Sequence, residues 1–301
     1  MTRRKWVVVA CASYFFCMQP APAHSQPVAA LRDADGRPAL LGTPAVRVVT
    51  LAPSLTELVF AAGAGDKLAG VSAYSDYPDG ARKLPVVADA VGISWESLLA
   101  LKPDLVLAWK GGTRDADIAR LNSLGVNVFT IAIRRLDDVP RALRSIGRLV
   151  GRPDPAEQAA GIYLRRLDAL RAANAGKQKV SVFFEISAKP LMTINGDHVI
   201  SEAMNICGGS NVFADAATLV SEPSREELLK RKPEAILYGK SAQDKPADAA
   251  VYSGLPAAAG RIYGINADFV FRPGPRLLLA TEEICRVLDR GRESLTAQKP
   301  R

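Results

Sequence analysis

Two short segments combine aromatic and charged side chains that could bind a ligand, and each segment ends in proline. One runs from Tyr74 to Pro78 and reads Tyr-Ser-Asp-Tyr-Pro, and the other runs from Asp268 to Pro273 and reads Asp-Phe-Val-Phe-Arg-Pro. Aromatic faces beside charged groups suit a flat, mostly apolar ligand with polar edges. Local packing of a Tyr-Pro or Phe-Pro turn is the competing interpretation. If the two segments meet in the fold, we expect a binding site.

Catalytic motifs are absent from the sequence, which contains no G-x-S-x-G, no phosphate-binding G-x-x-x-x-G-K-[ST] and no H-E-x-x-H. It contains two histidines, His24 and His198. So few imidazoles argue against His-dependent catalysis and against a zinc or manganese transport site. His198 follows Gly-Asp, which favours a plain surface histidine in a turn. A secreted α/β hydrolase that uses His198 as its base is the alternative from another functional class.

The N-terminus has the layout of a secretory signal peptide. Three cations at positions 3–5 precede an uncharged apolar stretch over 6–18, and Ala21-Pro22-Ala23 offers a cleavage site. The apolar stretch is shorter than the roughly 20 residues that span a membrane, which argues against a retained anchor. We therefore predict a signal peptide over 1–23, export to the periplasm, and a flexible Pro-, Ala- and Gly-rich leader over 24–45.

Composition indicates an ordinary globular protein. Of 301 residues, 48% are apolar and 23% are charged, and the formal net charge is +8. No Lys/Arg-rich run or basic aromatic stripe is present, so a nucleic-acid partner is not expected. Removal of the signal peptide leaves Cys207 and Cys285, which an oxidising compartment favours as a pair. Two unpaired buried thiols are the alternative.

Short β-branched runs alternate with amphipathic stretches from Arg47 to Leu288, which predicts parallel sheets with crossover helices. The predicted strands include 68–72, which ends just before the segment that starts at Tyr74, and 105–109, and a helix is predicted over 199–207. One longer helical stretch without Pro, 156–175, lies at mid-chain and carries an apolar stripe of Ile162, Leu164, Leu167 and Leu170. We predict an α/β fold with two Rossmann-like lobes joined by a single long backbone helix. The predicted boundaries are an N-terminal lobe over 46–152, a connecting helix over 153–176, a C-terminal lobe over 177–290 and a tail over 291–301.

An internal repeat supports two similar lobes. Ser94–Leu107 aligns without a gap to Ser224–Leu237, with Ser, Glu, Leu, Leu, Lys, Pro and the last Leu in common. Each copy predicts a Ser N-cap, a short helix, a Pro-marked turn and a buried strand. A ligand cleft is expected between the lobes, near the carboxyl ends of their strands.

The repeat also puts Glu96 and Glu226 at equivalent positions, one in each lobe. Acidic residues in the first turn stabilise a helix through its dipole, which would explain both residues without a function. Glu227 fits that explanation best because Ser224-x-x-Glu227 is a capping box. The functional interpretation is a matched pair of acidic knobs that dock into basic pockets of a membrane partner.

Five segments resemble the helical-backbone family of periplasmic solute-binding proteins. Within that family, the resemblance is to the cobalamin (vitamin B12) binders of ABC importers. The resemblance covers Arg47 to about Leu288 and is carried by these segments: Arg47–Leu58, Tyr74–Pro78, Leu101–Val106, Ala108–Gly112 and Cys207–Asn211. It implies a non-enzymatic protein that is monomeric when free, has no cofactor or metal of its own, and captures a corrinoid for a permease.

The resemblance also implies roles for individual residues. Cys207 and Cys285 would form a disulfide, and Glu96 and Glu226 would engage arginines of the permease. The ligand-binding residues would be Tyr74, Trp109, Asp268, Phe269, Val270, Phe271 and Arg272. Where the cobalamin binders carry cleft tryptophans, this chain has Ala90 and Val220. A haem or ferric-siderophore binder is the runner-up, and in a haem binder Tyr74 would serve as the axial ligand.

Overall fold

Two parallel β-sheets, one from each half of the chain, organise the computed structural model, which describes residues 31–39, 41–241, 252–258 and 260–297. The predicted signal peptide, 1–23, lies outside these residues. Nine helices are present in the described part of the chain: α1 (Pro53–Ala61), α2 (Trp95–Ala100), α3 (Asp115–Ser123), α4 (Asp138–Leu149), α5 (Pro153–Asn174), α6 (Val199–Ile206), α7 (Arg225–Arg231), α8 (Ala267–Val270) and α9 (Leu277–Ala297).

The first half of the chain forms a five-stranded parallel sheet. Its strands are β1 (Val48–Thr50), β2 (Leu68–Ser72), β3 (Val86–Ala88), β4 (Leu105–Trp109) and β5 (Val128–Ile131). Their order is β3-β2-β1-β4-β5, so the chain first adds strands on one side of β1 and then crosses to the other side. In such an arrangement the carboxyl ends of all strands lie at one edge, where a ligand site is expected.

The second half of the chain forms a four-stranded parallel sheet and a small antiparallel one. Its strands are β6 (Val180–Glu185), β7 (Ser187–Ala188), β8 (Leu191–Ile194), β9 (Gly209–Asn211), β10 (Val220–Ser221), β11 (Ala235–Lys240) and β12 (Ile262–Asn266). The parallel sheet has the order β12-β11-β6-β9, and the antiparallel sheet has the order β10-β8-β7. The predicted α/β class with two parallel-sheet lobes is therefore confirmed.

Each parallel sheet is covered by apolar residues on both faces. Successive strand residues point to opposite faces. In β4, Leu105 and Leu107 join the largest core cluster, whereas Val106 joins a separate cluster with Val49 of β1. The largest cluster also contains Val182 of β6, so it continues from one half of the chain into the other.

Helix α5 lies between the two parallel sheets in chain order and packs against α4, α6 and α9. It begins at Pro153, whose fixed φ suits the first helical position. Its buried residues are Ala156, Ala160, Tyr163, Leu167 and Asn174. Of the apolar stripe predicted from the sequence, Leu167 is buried, whereas Ile162 is 45% exposed.

Two predicted boundaries are wrong. Of the leader predicted over 24–45, residues 24–30 and 40 lie outside the described residues, and the rest is not flexible, because Leu31, Leu41 and Ala45 are buried and the Ala34 backbone N–H donates to the Thr130 carbonyl. The predicted tail from residue 291 is also too long, since α9 continues to Ala297 and buries Gly291.

A disulfide joins Cys207, directly after α6, to Cys285 in α9. The predicted pairing is confirmed. The two cysteines are 78 residues apart in sequence, so the bond links the start of the second lobe to the closing helix. Among the residues that the structure describes, no helix combines the length and the apolar character needed to cross a membrane.

Candidate functional site

A cavity of about 580 Å³ lies between the two halves of the chain and is lined by residues of both. The end of β4 and the residues that follow β4 and β5 form the first wall: Trp109, Lys110, Gly111, Ala132, Ile133 and Arg134. The second wall comes from the C-terminal half and includes Ile186, His198, Val199, Leu219, Val220 and Phe271. Since most of these side chains are apolar, the cavity suits a ligand with a large apolar surface and few polar groups.

Each wall contains an aromatic ring that packs directly against a glycine. Trp109 ends β4, and a Cβ added at Gly112 would come within 1.9 Å of its ring. Phe271 follows α8, and a Cβ added at Gly239 would lie 2.1 Å from its ring. Phe271 also meets Phe184 edge to face, with ring centroids 6.2 Å apart. These close approaches hold the two rings while 37% of Trp109 and 41% of Phe271 stay exposed.

His198 is a polar residue of the second wall, and the environment predicted for it from the sequence was wrong. It is not a plain surface histidine but the N-cap of α6, where its Nδ1 accepts a hydrogen bond of 3.2 Å from the Ile200 backbone N–H. Burial lowers the pKa of His198 to about 4, so the imidazole is neutral at physiological pH. The signal was present in the sequence, because His198 immediately precedes the predicted helix that starts at Val199.

Tyr74 follows β2, as predicted, but it does not line this cavity. Its backbone has φ +62° and its side chain is 78% exposed. Behind it, a buried cluster of hydroxyl groups fixes the loop. Thr56 Oγ1 donates to Ser75 Oγ at 3.0 Å, and the Ser72 and Ser75 hydroxyls are 3.2 Å apart.

Arg272 ties the two predicted binding segments together. Its guanidinium contacts Asp76 at 2.5 Å, Asp268 at 2.8 Å and Glu57 at 3.6 Å. Burial alone would raise the pKa of Asp76, but the hydrogen bond and charge of Arg272 outweigh it and lower the pKa. Asp268 and Arg272 therefore pair with each other and with the first lobe in an ion-pair network, and neither residue lines the cavity.

Glu57 and Arg276 form the buried part of this network. The Arg276 Nε and Nη2 atoms donate to the two Glu57 oxygens at 2.9 and 2.5 Å, and the Glu57 side chain is only 2% exposed. Arg276 also lies over Tyr77, 4.2 Å from the ring centroid, and over Phe269 at 5.3 Å. Burial raises the pKa of Glu57, and the two arginines oppose that shift. Sequence reasoning gave this pair no role.

The predicted ligand-binding residues thus fall into two groups. Trp109, Val270 and Phe271 line the cavity between the lobes. The other four predicted residues are not among its lining residues: Tyr74, Asp268, Phe269 and Arg272. Of the two positions where the resemblance expects tryptophan, Val220 lines this cavity, whereas Ala90 lies in a smaller depression of the first lobe beside Arg114.

Glu96 and Glu226 are exposed in the first turns of α2 and α7. Within the described ranges, neither carboxylate has a hydrogen-bond or ion-pair partner. The repeat is imperfect at the caps. Ser224 Oγ accepts from the Glu227 N–H at 3.1 Å, as predicted, whereas Ser94 Oγ instead donates to Ser97 Oγ.

Comparison with known proteins covers nearly the whole described chain. A sequence profile described as periplasmic binding protein matches residues 48–268. A vitamin B12-binding protein of Yersinia pestis (strain Pestoides F) is 39% identical over 241 residues, which are 80% of this chain and 85% of that protein. The crystal structure of periplasmic vitamin B12 binding protein BtuF of Vibrio cholerae matches with a TM-score of 0.77 and 35% identity, over 83% of this chain and 98% of that chain.

A further solved structure is similar in fold only. The apo form of the periplasmic heme-binding protein RhuT from Roseiflexus sp. RS-1 matches with a TM-score of 0.72 at 22% identity, over 83% of this chain and 99% of that chain.

Proposed function

Because this chain belongs to the family of periplasmic binding proteins, we propose that it captures cobalamin or a related corrinoid in the periplasm and delivers it to an ABC importer. The observation that carries the proposal is the cavity between the lobes, with apolar walls and the rings of Trp109 and Phe271. The names of the relatives that are 39% and 35% identical support a corrinoid as the ligand. Capture and release require no chemical step, so no catalytic residue is needed.

The shared core supports a protein that opens and closes little. The largest apolar cluster continues between the halves, and the Glu57–Arg276 pair links α1 to the residue before α9. A rigid pair of lobes binds a rigid ligand without a large entropy cost for ordering. We expect the exported protein to be monomeric when free.

Isothermal titration of the mature protein with cyanocobalamin tests the proposed ligand, with hemin as the comparison. We expect one corrinoid per chain and no Soret change with hemin. A flat cyanocobalamin trace would contradict the proposal, and a Soret band would favour the haem alternative. That alternative assigned the iron to Tyr74, which does not line the cavity.

Glu96 and Glu226 are the proposed docking residues. Exposed glutamates at matched positions in the two lobes are suited to pair with arginines on a two-fold permease dimer. Glu96→Lys together with Glu226→Lys should abolish permease association and leave the affinity for cyanocobalamin unchanged. Glu293→Lys is the matched control, because Glu293 is an exposed glutamate of α9. Transport that survives both reversals would show that other residues dock.

The hydrolase alternative requires His198 to act as a base. Its Nδ1 accepts from a backbone N–H, and in the described residues no carboxylate hydrogen-bonds the imidazole to orient it. The family membership also supports a binding role rather than catalysis.

A further inference from the structure

His198 is held from two directions at the start of α6. Its Nδ1 accepts from the Ile200 N–H at 3.2 Å, and its carbonyl accepts from the Ser201 N–H at 2.8 Å. The ring is therefore fixed by the helix N-terminus, and its remaining nitrogen is Nε2. Throughout the described ranges, Nε2 has no hydrogen-bond partner in the protein, and the residue lines the cavity between the lobes.

The hydrogen bond at Nδ1 determines what Nε2 can do. A neutral imidazole carries one proton, and an Nδ1 that accepts a hydrogen bond is the unprotonated nitrogen. The proton is then on Nε2, which can donate a hydrogen bond but has no lone pair free for a metal. To become an axial ligand of cobalt or iron, His198 would have to move its proton to Nδ1 and lose the cap of α6.

We propose that His198 is a specificity residue that donates a hydrogen bond from Nε2 to an amide carbonyl on the edge of the bound corrinoid. This inference rests on the proposed function, because the amide side chains of a corrin ring supply the acceptor. The charged residues around the imidazole are Asp197 beside it and Lys110 and Arg134 on the facing wall. Burial keeps the donor uncharged, since it lowers the pKa of His198 to about 4.

Two substitutions keep the helix cap and remove the donor. Ser and Asn are both strong N-cap residues, but their side chains end short of the imidazole Nε2 position. A neutral hydrogen bond contributes about 0.5–1.5 kcal/mol, so His198→Ser and His198→Asn should each weaken cyanocobalamin binding by about two- to tenfold. The loss should be the same at pH 6 and pH 8 because the imidazole is uncharged at both values.

The absorption spectrum of bound aquocobalamin separates a donor from a metal ligand. Aquocobalamin has an axial water that an imidazole can replace, and cyanocobalamin has none. We expect the bound spectrum to be identical for the wild type and for both variants. A spectral shift that disappears in His198→Ser would overturn the inference in favour of cobalt coordination.

The remaining outcomes are also decisive. Unchanged affinity for cyanocobalamin in both variants would overturn the donor role while leaving the proposed function intact. Wild-type protein that binds no cyanocobalamin would instead contradict the proposed function itself. A loss in one variant only would point to the helix cap rather than to the donor and would likewise overturn the inference.

Discussion

The buried pair of Glu57 and Arg276 should be one of the strongest couplings between the two lobes. Arg276→Met leaves the Glu57 carboxylate, 2% exposed, with Arg272 at 3.6 Å as its remaining cation. Breaking a buried pair from one side costs about 3–5 kcal/mol, because the other charge stays buried without its partner. The contact with Arg272 makes the lower end, about 3 kcal/mol, the expected loss for this variant.

The double variant, in which methionine replaces both Glu57 and Arg276, tests whether the loss comes from the unpaired buried charge. Glu57→Met alone leaves the guanidinium of Arg276 in a site that is 12% exposed, and we again expect a loss of about 3 kcal/mol. With both residues replaced by methionine no charge is left buried without its partner, so the double variant should lie within about 1 kcal/mol of the wild type. The coupling energy of the cycle is then at least about 5 kcal/mol.

Urea unfolding followed by tryptophan fluorescence measures these free energies. The matched control is the pair of Arg144 and Glu157, whose atoms are similarly close, at 2.7 and 2.8 Å, but whose side chains are 33% and 62% exposed. Exposed pairs contribute about 0–1 kcal/mol, so the control cycle should give little coupling. If the Glu57–Arg276 cycle gave no more coupling than the control, burial would not be what makes the pair strong.

Three further predictions concern other parts of the molecule. Burial lowers the pKa of His198 from 6.5 to about 4 in the folded state, so its contribution to stability is complete above pH 6.5 and is lost as the pH falls toward 4. The loss should be about 2 kcal/mol at pH 5, and urea unfolding of His198→Ser should lack this slope. Replacing both Cys207 and Cys285 with serine should lower the free energy of unfolding by about 4 kcal/mol, and dithiothreitol should then have no further effect. Val220→Trp should tighten cyanocobalamin binding about two- to tenfold by titration calorimetry, since an aromatic contact adds about 0.5–1.5 kcal/mol.

The sequence predicted several strands of the two parallel sheets, because those strands carry local signals. The runs Leu68–Ser72 and Leu105–Trp109 have the bounds that the structure gives to β2 and β4. Both are apolar, short and followed by polar turns, so neighbouring residues alone define them. The leader shows the opposite case. Leu31, Leu41 and Ala45 follow neither a helical nor a strand period, so their burial depends on the first lobe that covers them.

At the site, the sequence did not reveal pairs of residues that are far apart in the chain. The resemblance predicted that Trp109, Val270 and Phe271 bind ligand, and all three line the cavity. Glu57 and Arg276 are 219 residues apart, and nothing local pairs them. The one local signal was an acidic residue inside the apolar run of α1, a position that is stable only with a buried partner.

The electrostatics of the cavity favour a ligand with neutral polar edges over one with free carboxylates. Lys110 is neutralised by Asp35 at 2.8 Å, which comes from the segment that the sequence predicted to be flexible. Arg134 and Asp197 line the walls with opposite charges, and His198 is uncharged at neutral pH because burial lowers its pKa to about 4. Haem brings two propionates, whereas Arg134 is the one cation of the lining without an ion-pair partner among the described residues, so such a cavity would have to desolvate at least one propionate without a matching cation, which is costly. The amide side chains of a corrinoid bring no charge, and each carbonyl can accept from a neutral donor. The same burial that destabilises the protein in acid therefore makes the imidazole a suitable donor for an amide.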